Sequence, residues 1–177
     1  SASSRVSDLL ITARRADGYR AGVSATATRT ATDLRDVPQS IQIVTREVLE
    51  DQQAVRLTDA LQNVSSVQLN GTGGNRGETY QIRGFVTPRY AVNGFPLTSA
   101  MDRPEAFFDL ANVERVEVLK GPSSVMFGLS EPGGVINVVT RAPSPTAARE
   151  IAVQGGSFGL RRVEATATGG LTQDGRL

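Results

Sequence analysis

Apolar and polar positions follow two rhythms along this chain, and the change falls at Pro143-Ser144-Pro145. Ahead of that point the runs are short. Ser40-Ile41-Gln42-Ile43-Val44 alternates and ends in β-branched residues, which predicts a strand. Thr45 is then a candidate N-cap for a helical turn over 46–51. Leu57, Leu61 and Val64 recur at i, i+4 and i+7, the apolar stripe of a second helix. Val67-Gln68-Leu69 reads as a short strand stopped by Asn70-Gly71. Residues 80–85 read as one strand, 90–97 as a hairpin about Asn93-Gly94, and 113–119 as a strongly alternating strand ended by Gly121-Pro122. One capped helical turn over 123–127 stops at Gly128, and Pro132-Gly133-Gly134 turns the chain into 135–140. That last run has little polar alternation, the pattern of a strand buried on both faces. Two polar loops interrupt the series, 71–78 and 99–108, the second turning helical near Pro104.

Behind Pro145 the strands lengthen. Ile151 and Val153 alternate with Glu150, Ala152 and Gln154, and the chain then turns through Gly155-Gly156-Ser157-Phe158-Gly159. Val163, Ala165, Ala167, Gly169 and Leu171 alternate with Arg162, Glu164, Thr166 and Thr168. An apolar face backed by a polar one matches the dyad pattern of membrane barrels, and an ordinary amphipathic hairpin has the same period. In front, residues 1–32 are small and polar apart from Leu9-Leu10-Ile11, a patch too short for a helix. The expected fold class is α+β, in three parts. They are a flexible segment (1–32) with one stretch able to become a strand, a globular domain (33–145), and a first pair of barrel strands (146–177).

Composition narrows the function. The chain of 177 residues suffices for one core with short appendages. No apolar run reaches the roughly 18 residues of a membrane-spanning helix, so if the chain meets a membrane it does so as strands or as cargo inside something else. A net charge of +1 gives no electrostatic case for nucleic acid. The basic residues are arginines except Lys120, a preference that suits planar pairing with carboxylates or anionic ligands and also follows from a GC-rich genome. Cysteine and histidine are absent, which removes thiol nucleophiles, zinc sites and imidazole catalysis. The run from Gly121 to Gly128 lacks the Gly-Lys-Ser/Thr ending of a phosphate loop, and Gly71 to Gly77 misses the dinucleotide spacing. We expect no enzyme and no resident cofactor. The opening Ser1-Ala2-Ser3-Ser4 carries no signal peptide and reads as a mature or trimmed start.

Six segments, in order and spacing, carry a resemblance. They are Asp36-Val37-Pro38-Gln39-Ser40-Ile41, Asp59-Ala60-Leu61, Ile82-Arg83-Gly84-Phe85, Val92-Asn93-Gly94, the run from Val113 to Pro122, and Gly133-Gly134-Val135-Ile136-Asn137-Val138-Val139-Thr140. Together they resemble the plug of TonB-dependent outer-membrane receptors, ferric-siderophore class; the glycine-rich run from Gly121 to Gly134 is the most specific piece. The resemblance implies a plug with a four-stranded mixed β-sheet and short helices, lodged inside a barrel of about 22 strands. It also implies active import across the cell outer membrane of a Gram-negative bacterium. The implied cargo is an iron(III)–siderophore complex, and the implied partner is periplasmic TonB with its inner-membrane ExbB/ExbD energy complex. Because a two-stranded hairpin is marginal alone, the chain reads as a piece of a longer receptor.

Site residues follow in three groups. Asp8, Leu9, Leu10, Ile11, Thr12 and Ala13 resemble the TonB box, a segment that pairs with a TonB strand through its backbone while alternate side chains fill pockets. Arg83 and Arg115 stand on predicted strands within matched segments. The resemblance implies that they pair with barrel-wall glutamates and hold the plug, whereas solvated pairing with Glu114 or Glu117 is the plainer alternative. Arg76, Arg89, Tyr90, Met101 and Arg103 fall in loops between strands, where scaffolds carry binding groups. Arginine and tyrosine suit the oxygen-rich, often anionic surface of a ferric siderophore. A non-transporting signalling or periplasmic interaction module is the alternative function, and the sequence following Leu177 separates the two.

Overall fold

The computed structural model describes residues 23–24, 32–33, 40–72, 74, 77–87, 90–97, 108–122 and 132–170. The chain divides into two compact units, Ser1–Thr140 and Arg141–Leu177.

The first unit opens with two short paired strands, β1 (Val23–Ser24) and β2 (Thr32–Asp33). There follow β3 (Ser40–Thr45), α1 (Arg46–Asp51), α2 (Leu57–Leu61), β4 (Val67–Gly71), β5 (Thr79–Ile82), β6 (Phe85–Thr87), β7 (Tyr90–Val92), β8 (Phe95–Leu97), β9 (Val113–Lys120) and β10 (Gly134–Thr140). Five strands form a mixed sheet in the order β3-β9-β10-β7-β8, with β7 parallel to β10 and the other pairs antiparallel. The expected mixed sheet with short helices is thus present, and β8 adds a fifth strand at its edge. Strands β4, β5 and β6 make a second, antiparallel sheet.

The alternation in β9 sends its residues to two faces. Val116 and Val118 join Val44, Ile136, Val138 and Tyr90 in the main core, which α1, α2, β4 and β5 complete through Leu49, Leu57, Leu61, Val67 and Ile82. Leu119 turns to the other face, with Ala91 and Val135. Each such aliphatic burial contributes roughly 1.5–3 kcal/mol over exposure. Thr45 does stand at the N-cap of α1 in extended conformation, but its Oγ1 makes no capping bond and is buried without a partner. Arg46 does the fastening instead. Its Nη1 donates to the Leu110 and Val113 carbonyls at 2.9 and 3.2 Å, and its Nε donates to Glu50.

Residues 80–85 are not one strand. Arg83 and Gly84, with φ of +53° and +85°, form a two-residue turn between β5 and β6, the same left-handed arrangement as Asn93-Gly94 between β7 and β8. Two successive residues with positive φ match the right-handed twist of the flanking strands, which lets so short a connection close. The helical readings over 99–108 and 123–127 lie largely outside the described residues.

The second unit is a hairpin of β11 (Ala148–Gly155) and β12 (Arg161–Thr168), paired from Ala148↔Thr168 to Gly155↔Arg161. Ile151, Val153 and Val163 share one face and are 75%, 78% and 71% exposed. The opposite face carries Arg162 paired with Glu164, and Thr168 Oγ1 donating to the Ser144 carbonyl at 3.0 Å. One face is thus apolar and exposed and the other polar, the period-two pattern that strands of membrane barrels share with ordinary amphipathic hairpins. Among the described residues no helix is long and apolar enough to cross a membrane.

Candidate functional site

Arg83 is held in its turn by a bond from its N–H to the Ser66 carbonyl, 2.9 Å. A long side chain at positive φ is uncommon and costs about 1–2 kcal/mol relative to glycine. The turn aims the guanidinium at the end of β9, where Nη1 lies 3.7 Å from the position a Gly121 Cβ would take. Lys120 ends β9 beside it, largely buried, with Nζ donating to Gln42 Oε1 and Ser65 Oγ, both at 2.8 Å. Burial, and secondarily the Arg83 charge, lowers the Lys120 pKa below the ordinary lysine value. Both partners of Nζ are neutral, and none of the ion pairs among the described residues includes Arg83 or Lys120. Two adjacent cations therefore meet at the Gly121 end of the sheet, and among the described residues no carboxylate pairs with either.

Arg115 is placed differently. Its Nε sits 2.6 Å from Glu117 Oε1, and the Glu117 side chain is fully buried while Arg115 remains 30% exposed. Arg83 and Arg115 are therefore not equivalent, and Arg83 lies in a turn, not on a strand as expected. The residue beside Arg83 is Lys120, which sequence reasoning passed over.

Tyr90 also requires correction. It opens β7 and is 1% exposed, not in a loop, and its hydroxyl donates to the Glu78 carbonyl at 2.7 Å. Its ring meets Tyr80 edge-on at 6.3 Å and Phe108 at 5.8 Å. A phenol so enclosed is part of the core and has no free hydroxyl for a ligand. The Tyr80 hydroxyl donates to Glu78 Oε2 at 2.7 Å and lies 2.9 Å from Thr58 Oγ1. Burial raises both phenols well above the ordinary tyrosine range, so both stay protonated. Arg76, Arg89, Met101 and Arg103 lie outside the described residues, as does the segment from Asp8 to Ala13.

The glycine-rich run is described at its two ends. Gly121 and Gly134 have φ of +110° and +133°, and the Gly121 N–H donates to the Gly133 carbonyl at 2.9 Å. A Cβ on Gly134 would run into the Leu119 carbonyl oxygen, so β9 and β10 approach there more closely than any side chain permits. Among the described residues no group of three or more acidic, histidine or cysteine side chains could hold a metal ion.

The family model described as TonB-dependent Receptor Plug Domain matches residues 33–135. The chain belongs to that family. Among curated relatives, a metal-pseudopaline receptor of Pseudomonas aeruginosa is 36% identical over 80% of this chain and 20% of its own. The ferrichrome outer membrane transporter/phage receptor of Escherichia coli is 32% identical over 86% of this chain and 21% of its own. The crystal structure of the ferripyoverdine receptor of the outer membrane of Pseudomonas aeruginosa bound to ferripyoverdine matches with a TM-score of 0.80. Identity there is 29%, over 89% of this chain and 21% of that one. The chain thus spans about a fifth of the length of the relatives it matches.

Proposed function

We propose that this chain is the plug end of an outer-membrane active-transport receptor that imports a ferric siderophore. In this reading Arg76, Arg89, Met101 and Arg103 contribute to ligand binding, and Asp8, Leu9, Leu10, Ile11, Thr12 and Ala13 form the strand-pairing segment for TonB. TonB acts with the inner-membrane ExbB/ExbD complex, and the location is the outer membrane of a Gram-negative bacterium. The observation that carries the reading is the sequence of elements: a plug fold followed in the same chain by a hairpin with one apolar, exposed face. A signalling or periplasmic module would have no use for Ile151, Val153 and Val163 exposed together on one face. That matched relatives are named receptors and transporters supports a transport role over an enzymatic one.

Anchoring of the plug is assigned to Arg83 and Arg115, with Lys120 beside Arg83, since among the described residues no carboxylate pairs with Arg83 or Lys120. Arg115 contributes through whatever reach its exposed part retains beyond Glu117. Replacing Arg83 by alanine in the complete receptor should leave a wall carboxylate without its partner, at a cost of about 3–5 kcal/mol. The plug should then become open to added protease while ligand affinity changes little. Replacing Arg76 or Arg89 by alanine should do the reverse. Each removes a charge-assisted bond of about 1.5–3 kcal/mol and weakens ferric-ligand affinity roughly ten- to a hundredfold with protease resistance intact. If Arg83→Ala abolished binding while Arg76→Ala and Arg89→Ala left it unchanged, this division between anchor and ligand site would be wrong.

A further inference from the structure

We propose that Glu78, Tyr80, Tyr90 and Thr58 form a positioning cluster that fixes the backbone at Gly77 and Glu78, so that Tyr90 and Glu78 set ligand affinity without touching ligand. The inference rests on the reading above, in which Arg76 and Arg89 meet the ferric complex.

Glu78 is 4% exposed. An apolar residue would fill such a place at less cost than a carboxylate, which must be supplied with donors. The donors present run in one direction. Tyr80 gives its single proton to Glu78 Oε2, so the Thr58 hydroxyl is the donor in its 2.9 Å contact with Tyr80. A chain of donors therefore leads from α2 through β5 to the Glu78 carboxylate. The Glu78 carbonyl, on the backbone of the same residue, accepts the Tyr90 hydroxyl. Glu78 is thus gripped at both its side chain and its main chain, from two different strands.

The grip falls at a stem. Thr79 Oγ1 donates to the Gly71 carbonyl at 3.0 Å, and the Gly77 N–H donates to the Thr72 carbonyl at 3.3 Å, which joins residues 71–72 to residues 77–79. In the chain Glu78 stands two residues after Arg76, and Tyr90 directly follows Arg89. One hydrogen bond, Tyr90 to Glu78, therefore ties together the ends of the two segments that carry the candidate ligand arginines. The rings of Tyr80, Tyr90 and Phe108 fill core space whether or not a hydroxyl is present. Packing and positioning can accordingly be separated by removing single atoms.

The experiment uses the complete receptor in detergent and follows amide hydrogen exchange at Gly77 and along β10, in wild type, Tyr90→Phe, Glu78→Ala and Glu78→Gln. Tyr90→Phe and Glu78→Ala should each speed exchange at Gly77 about tenfold, the size expected for one lost buried hydrogen bond, and leave β10 as in wild type. Glu78→Gln keeps an acceptor for Tyr80 and should resemble wild type. Unchanged exchange at Gly77 in both disruptive variants would overturn the proposal. So would equal acceleration in β10, or a Gln variant as loose as the Ala variant, because either describes core packing alone. A second arm titrates the same proteins with ferripyoverdine and ferrichrome. Where wild type binds, Tyr90→Phe should weaken affinity roughly three- to tenfold, and equal affinity would overturn the link to ligand. If wild type bound neither these probes nor any other ferric siderophore, the transport reading would fail, while the exchange arm would still decide whether the cluster fixes Gly77.

Discussion

Replacing Gly134 by alanine is expected to prevent the plug from reaching its folded state, although only a methyl group is added. The residue holds φ at +133°, a region that side chains enter at a cost of about 1–3 kcal/mol. The added Cβ would also occupy the Leu119 carbonyl oxygen, so β9 and β10 must separate at the start of their ladder. Forced backbone displacement in a packed core adds about 1–3 kcal/mol more, a large share of the stability of a domain this size. Gly94→Ala is the matched control. It too has positive φ, +82°, but nothing lies within 4 Å of its added Cβ, so only the conformational cost applies, about 1–2 kcal/mol. Protease digestion of the complete receptor should cleave the plug readily in Gly134→Ala and slowly in Gly94→Ala. Equal resistance in the two would show that the close approach of β9 and β10 is not required.

Leu10→Pro is expected to abolish energised iron uptake and leave ligand binding at the wild-type level. Strand addition draws its affinity from main-chain hydrogen bonds. Proline removes one N–H and keeps the preceding Leu9 from conformations that proline's ring excludes. Leu10→Ala keeps the backbone intact and removes only side-chain contact, so it should retain most of the transport. The check is uptake of radioactive iron beside equilibrium binding, in both variants. Uptake by Leu10→Pro at the wild-type rate would move the TonB contact elsewhere in the chain.

Several elements were legible because one local signal decides them. Asn93-Gly94 between alternating residues announces its turn, and the hairpin of β11 and β12 follows from strict period-two alternation. Arg83-Gly84 makes the same kind of turn and was hidden, because arginine is not a residue of left-handed turns and Phe85 places another apolar residue just beyond Tyr80 and Ile82. The cation pair was hidden for a different reason. Lys120 looks like a polar strand end, and its surroundings arrive from Gln42, Ser65 and Arg83, on three separate parts of the chain. Arg83 and Arg115 looked alike as strand arginines in matched segments, and only the fold shows one on Glu117 and the other beside Lys120. Glu78 follows a polar glycine-rich run and reads as loop, while its burial depends on Tyr80 and Tyr90 from two strands. Periodicity reports which face a residue takes; it does not report which distant residue waits there.

The measurement that bears most directly on the central claim is iron uptake by cells lacking their own receptors and expressing the complete protein. Radioactive iron would be supplied as ferripyoverdine, as ferrichrome and as other ferric siderophores, with the inner membrane energised or uncoupled. The account predicts accumulation from at least one ferric chelate, lost on uncoupling and lost in Leu10→Pro, with surface binding of that chelate retained in both cases. Accumulation that persists in uncoupled cells, or no binding of any ferric chelate by a folded receptor in the outer membrane, would contradict it.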